Sequence, residues 1–240
     1  MANYDVTLKG REDVAEGTMA FHFEKPAGFS FKPGQAVEVA LINPPAEANS
    51  ARRMFSLVSA PFEQELAVAT RMRDGSAFKR ALKALPPGSK IKLEGPFGDM
   101  TLHEDRARPA ALIAGGIGIT PFMSMLRQAA RDRLAHRLFL LYSNRRPEDA
   151  AFLAELQSLE RQNKSFRLLA TMTDIDKSAR AWHGEQGMVN EEMVKRFVDD
   201  AVAPIYYLAG PPAMVDAMAG VLSRAGVRDE DLRSEEFYGY

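Results

Sequence analysis

The sequence predicts two domains in series: an antiparallel β-barrel over residues 1–103, then an α/β domain with a parallel sheet over residues 104–240. Three observations carry this prediction. Up to His103 the apolar residues recur at strand period in short runs separated by turns. Beyond it, apolar runs of strand length alternate with segments of helical period, as β-α-β units require. Between the two lies Glu104 to Pro109, E-D-R-A-R-P, a charged stretch suited to a boundary.

In the first half, Tyr4, Val6 and Leu8 alternate with polar residues, as do Met19, Phe21 and Phe23, and then Val37, Val39 and Leu41 after a Pro33-Gly34 turn. Asn43 to Ser50 is a polar loop. Arg52 to Ser59 and Leu66 to Met72 form two further strands, Phe78 to Leu85 a short helix ended by Pro86-Pro87-Gly88, and Ile91 and Leu93 a last strand. Short strands at this spacing suit a small barrel or sandwich. In the second half, Leu138 to Tyr142, Phe166 to Met172 and Ile205 to Ala209 read as strands. Glu148 to Glu160 reads as a helix, Asn190 caps another, and a last helix with Met214, Met218 and Leu222 on one face ends at Gly226.

Composition narrows the chemistry. The chain of 240 residues is 46% hydrophobic, enough for a sizeable core, and its net charge of −1 offers no footprint for nucleic acid or an anionic membrane. With no cysteine, disulfides, thiolate zinc sites, a cysteine nucleophile and cysteine-ligated iron–sulfur clusters are excluded within this chain. The four histidines are scattered, so no metal site is expected. The N-terminus carries no signal core, and no apolar run approaches the ~20 residues of a membrane span. A cytoplasmic protein without membrane insertion is the expectation.

The most informative stretch is Ala110 to Leu126, A-A-L-I-A-G-G-I-G-I-T-P-F-M-S-M-L. A buried strand breaks at Gly115, Gly116 and Gly118, and a helix restarts with Thr120 as its cap and Pro121 in its first position. Strand, glycine turn and helix N-terminus converge free N–H groups on one point, a place for a phosphate. The spacing Gly116-x-Gly118-x-x-Pro121 departs from G-x-G-x-x-G, and no acidic residue ends the next strand to hold a ribose; that strand runs into Ser143-Asn144-Arg145-Arg146. Earlier in the chain, Arg53-Met54-Phe55-Ser56 offers a guanidinium fork, a ring on the same side of the strand and a hydroxyl.

These segments, with Gly95-Pro96-Phe97-Gly98 and Gly210-Pro211-Pro212-Ala213-Met214, stand in an order and spacing that resemble the ferredoxin–NADP reductase family of flavoproteins across nearly the whole chain. The resemblance implies a flavin-holding barrel and a second domain for the nicotinamide nucleotide. By it, Arg53 contacts the flavin phosphate, Met54 lies in the same motif, Phe55 stacks on the ring and Ser56 sits near N5. Arg71 and Met72 lie along the flavin, and Ser76, Ala77 and Phe78 hold a pyrophosphate at a helix start, favouring FAD over FMN. Gly116, Gly118, Thr120 and Pro121 face the pyrophosphate and ribose of NADPH or NADH. Ser143, Asn144 and Arg145 lie at the adenosine ribose, where a guanidinium suits a 2′-phosphate. Gly210, Pro211 and Met214 follow Ala209, which stands where the family carries cysteine against the nicotinamide. Tyr238 or Tyr240 covers the flavin.

The implied activity is an FAD-dependent NAD(P)H reductase passing electrons to a separate acceptor: a ferredoxin, a flavodoxin or an oxygenase component. The alternatives are a reductase that takes free flavin as substrate and a non-catalytic nucleotide-binding subunit.

Overall fold

The computed structural model describes residues 2–44, 46, 50–198 and 203–238. Alternation of apolar and polar side chains builds the first sheet from β1 (Ala2–Ala15), β2 (Thr18–Glu24), β3 (Ala36–Ala40), β4 (Arg52–Ser56), β5 (Glu65–Arg71) and β6 (Lys90–Phe97). All neighbours in the order β4-β3-β6-β1-β2-β5 are antiparallel, and a bridge between Leu57 and Val68 joins the two ends of the sheet. β1 makes closure possible by changing partners: Ala2 to Thr7 pair with β6, and Leu8 to Ala15 pair with β2, with register shifts that bend the strand. Inward residues Val6, Leu8, Phe21, Phe23, Val37, Val39, Ile91 and Leu93 fill the barrel. Helix α1 (Ala77–Ala84) adds Phe78 and Leu82 to that core.

The second sheet is parallel and six-stranded, in the order β10-β9-β8-β7-β11-β12. Its strands are β7 (Ala110–Gly115), β8 (Leu138–Asn144), β9 (Phe166–Met172), β10 (Glu185–Gln186), β11 (Ile205–Gly210) and β12 (Leu232–Glu236). The helices are α2 (Ile119–Asp132), α3 (Leu153–Gln162), α4 (Glu191–Phe197) and α5 (Pro212–Arg224). Successive β7 residues go to opposite faces. Ala110, Leu112 and Ala114 join α2 and α3, whereas Ala111 and Ile113 join α4 and α5. The α2 face also takes in Val58, Ala67, Ala69 and Met100 of the barrel, so one continuous core spans the domain junction. The Ser124 hydroxyl donates to the Ser59 carbonyl at 2.7 Å, and Arg127 meets Glu63 at 3.5 Å across the same junction.

The architecture follows the prediction, with local differences. Thr120 does not cap α2. A 3₁₀ turn over Gly116–Gly118 winds directly into the helix, Gly118 is the N-cap, and the Thr120 hydroxyl donates to the Ile117 carbonyl at 3.1 Å. Pro121 is the third residue of the helix and not the first, and it is tolerated within the first turn, where the leading N–H groups have no intrahelical acceptor. The helix expected from Glu148 begins only at Leu153, because Pro147–Asp149 forms a 3₁₀ turn and Phe152 takes φ 60°. Strands β10 and β12 were not legible: Glu185-Gln186 is too short, and Leu232-Arg233-Ser234-Glu235-Glu236 lacks apolar alternation. Tyr240 and part of the 43–50 loop lie outside the described residues.

Candidate functional site

The chain leaves β7 for β8, β9 and β10 on one side and returns through β11 on the other. The carboxyl ends of β7 and β11 therefore flank the crevice where open α/β sheets bind ligands. Close packing there is made by glycine. A Cβ on Gly118 would lie 2.1 Å from the Ala209 carbonyl oxygen, and one on Gly115 would lie 2.1 Å from the Met214 sulfur. Gly116 differs, since a Cβ there meets nothing within 4 Å. It borders a cavity of about 550 Å³.

That cavity has walls from both domains. Gly115, Gly116, Ser143, Asn144, Arg145 and Met214 face it from the parallel sheet, and Arg71 and Arg73 face it from the end of β5. Asn144 is 5% exposed, and among the described residues neither its Oδ1 nor its Nδ2 has a partner in hydrogen-bond geometry. The Tyr142 hydroxyl, which lies beside the Asn144 amide, donates to the Ala151 carbonyl at 3.1 Å. A buried amide left unsatisfied beside a cavity is suited to a ligand's polar groups. Asp149, also on the cavity wall, accepts from Arg146 Nε and an Arg146 terminal nitrogen, both at 3.0 Å, and from Arg71 at 3.4 Å. Burial alone would raise its carboxyl. The Arg146 hydrogen bonds and the charges of Arg146, Arg71 and Arg145 outweigh burial and hold it below the usual carboxylate range.

On the barrel side, Arg53 and Phe55 both meet Phe78: the Arg53 guanidinium lies 5.6 Å from that ring's centre and the Phe55 ring 6.2 Å. Phe55 is 6% exposed, so it forms part of the barrel core and offers no free face, whereas Met54 beside it is 50% exposed. Met72 packs on the edge of the same core. The Ser76 hydroxyl caps α1 by accepting from the Lys79 N–H at 3.3 Å, so what this helix start offers beyond the cap is the backbone of Ala77 and Phe78. Lys79 is buried near Arg73 and Arg53; burial first, and then those two charges, bring its ammonium down to about 8. Its ammonium donates to the Arg71 carbonyl at 2.9 Å.

Ser56 and Glu235 face one another where β4 meets the end of β12. Among the described residues, Ser56 Oγ and Glu235 Oε2 are buried outside hydrogen-bond geometry. Burial raises the Glu235 carboxyl, and the nearby Ser56 hydroxyl offsets part of that rise. Ala209 is fully buried beneath Gly118. Thr120 and Pro121 are buried in the first turn of α2. Pro211 borders the cavity. Tyr238 is 74% exposed, with its hydroxyl on Glu236. Among the described tail residues, the aromatic that reaches the cavity is Phe237, fixed by its N–H to the Gly210 carbonyl at 2.9 Å.

Sequence reasoning thus missed Asp149, Glu235 and Phe237. The Arg146–Asp149 spacing of i,i+3 is a visible ion-pair signal, but the reach of Asp149 to Arg71, 78 positions away, is not.

Comparison with known proteins agrees with this geometry. Residues 112–220 match the oxidoreductase NAD-binding domain. Ferredoxin–NADP reductase B of Sorangium cellulosum is 31% identical over 203 residues, covering 80% of each protein. The reductase component of propane 2-monooxygenase from Rhodococcus jostii is 29% identical over 89% of this chain and 57% of that protein. A ferredoxin NADP+ reductase from Neisseria gonorrhoeae with bound FAD and NADP shares the fold, at a TM-score of 0.80, 20% identity and 98% coverage of both chains. The chain belongs to the ferredoxin–NADP reductase family. It spans about three fifths of the length of the propane and glycine betaine monooxygenase reductases it matches. Among the described residues, no helix is long and apolar enough to cross a membrane.

Proposed function

We propose that the protein is a cytoplasmic FAD-dependent NAD(P)H reductase that delivers electrons to a separate acceptor. The observation that carries this reading is the single cavity walled by the glycine turn of one domain and by Arg71 and Arg73 of the other. Two nucleotides that must exchange a hydride need such a shared wall, because the rate depends on holding the two rings face to face.

The residues fit an FAD on the barrel side. Arg53, Lys79 and the Ala77 and Phe78 N–H groups hold its phosphates, and Ser56 meets its ring near the junction. An FAD held by these residues would supply a hydride acceptor that can release electrons singly or in pairs. Phe55 acts from within the core as backing for that site, and stacking on it requires the Phe78 contact to open. Gly116 gives the NAD(P)H pyrophosphate room to approach the backbone, with Gly118, Thr120 and Pro121 shaping the turn beneath. Ser143, Asn144 and Arg145 take the adenosine ribose, and the Arg145 guanidinium favours NADPH. Gly210, Pro211 and Met214 support the nicotinamide side, and Ala209 keeps the floor small. Ser56 and Glu235 form a buried hydroxyl–carboxyl pair able to hold a proton beside the reacting rings. Phe237 borders the cavity from the tail, and the role of covering the flavin falls to an aromatic of this tail, Phe237, Tyr238 or Tyr240.

The names of the relatives support a ferredoxin or an oxygenase component as acceptor. Gel filtration followed by acid extraction tests the reading: FAD is expected to co-elute with the protein, which then reduces ferredoxin at the expense of NAD(P)H. Flavin lost on the column but turned over when added freely would instead make flavin a substrate.

A further inference from the structure

We propose that Asp149 is an internal stand-in for the dinucleotide's phosphates, holding Arg71 across the domain junction until the nucleotide takes that arginine from it. This rests on the reading of the cavity as a NAD(P)H site.

The two arginines on Asp149 are held unequally. Arg146 grips the carboxylate with two hydrogen bonds at 3.0 Å, the paired geometry that makes such contacts strong. Arg71 makes one contact at 3.4 Å and lies on the cavity wall, whereas Arg146 does not. Asp149 therefore stays neutralised by Arg146 when Arg71 leaves, and the exchange exposes no unpaired buried carboxylate. The junction does not depend on the Arg71 contact either. It is already closed by the shared apolar core, by Ser124 on Ser59 and by Arg127 on Glu63. A weak contact, in a junction that needs no further fastening, at the wall of an anion-binding cavity, marks Arg71 as a cation parked for a ligand.

The charge balance gives the consequence its sign. Arg71, Arg73 and Arg145 face the cavity, and Asp149 is the carboxylate among its lining residues. An anion entering the cavity gains from the three guanidiniums and is opposed by Asp149. Removing that negative charge while keeping the shape should tighten anion binding, even though Arg71 loses its fixed position.

The test uses the full chain with its flavin and measures binding by calorimetry. NADP+, NAD+ and inorganic pyrophosphate are titrated into the wild type and into Asp149→Asn at low and at high salt. The variant is expected to bind all three about five- to tenfold more tightly at low salt, the effect of one like charge at partly screened range, with the gap closing as salt rises. Its unliganded form is expected to melt lower and to recover with pyrophosphate. Unchanged or weaker binding overturns the proposal, and so does tightening of the same size in Asp149→Asn when Arg71→Gln is already present, since loss of the Asp149 charge alone would then explain it. A wild type that binds neither NAD+ nor NADP+ removes the cavity assignment and this inference together, whereas wild-type binding without tightening in the variant removes only the role of Asp149. Should Asp149→Asn fail to fold, Arg71→Gln decides: weakened pyrophosphate binding supports the exchange, and unchanged binding overturns it.

Discussion

Gly116 and Gly118 stand in one turn and are glycine for different physical reasons. At Gly118 an added methyl would meet main-chain atoms of Ala209 and Gly210 at 2.1 to 2.7 Å, and a crossing of two backbones cannot relax as a side chain can. At Gly116 the space is open and only the φ of 54° is unfavourable for an L-residue. Gly118→Ala is therefore expected to lose about 3 kcal/mol or to misfold, as severe overpacking does, and Gly116→Ala only about 1–2 kcal/mol for its left-handed backbone. Denaturant unfolding of both variants checks the order, and equal losses would contradict it. Arg145→Ala should raise the KM for NADPH about tenfold or more, the loss of a charge-assisted hydrogen bond, while leaving that for NADH nearly unchanged; steady-state kinetics with both donors decides it. At this scale the sequence exposed residues whose type is unusual for a strand or turn, such as the glycines and Arg53. It hid Asp149 and Glu235, ordinary carboxylates whose meaning comes from partners that are distant along the chain.

The connection between the domains carries an element-scale device. His103, at the end of the barrel, donates or accepts at Nδ1 with the Tyr207 hydroxyl of β11 at 2.9 Å, and its Nε2 lies 3.0 Å from Nε2 of His136, just before β8. One ring must donate and the other accept, so both cannot be protonated with the contact intact. Burial first, then His103, lowers His136; burial first, helped by the charges of Arg233 and Arg108, lowers His103, against an opposing hydrogen bond to the Arg108 carbonyl. With folded values below the ordinary histidine range, the unfolded chain binds protons first as pH falls. Stability is then full above about pH 6.5 and is lost progressively below it. Thermal unfolding between pH 7.5 and 5.5 should show this decline, and His136→Gln should flatten it; an identical slope in the variant would count against the pair. Neither histidine announced this role, because the spacing of 33 residues carries no motif. Strongly periodic elements such as α2 and β8 were legible, whereas β12 was not. Its residues are ordered by pairing with β11, not by their own pattern.

For the molecule as a whole, the relation between the domains gives the site its meaning. Helix α2 faces the parallel sheet and the barrel with one apolar surface, which fixes the glycine turn opposite the end of β5. The order of motifs along the chain was enough to expect two nucleotide sites. That residues of both domains wall one cavity followed only from packing, since Arg71 and Arg73 reach it through barrel closure and not through proximity in sequence. The central claim is that this cavity brings a nicotinamide to a flavin held by the barrel. It is tested most directly by mixing the flavin-loaded protein anaerobically with NADPH, then with NADH, and following the flavin absorbance. Rapid bleaching, faster with NADPH and slowed in Arg145→Ala, is the predicted result; a flavin absorbance that persists with both donors would contradict the account.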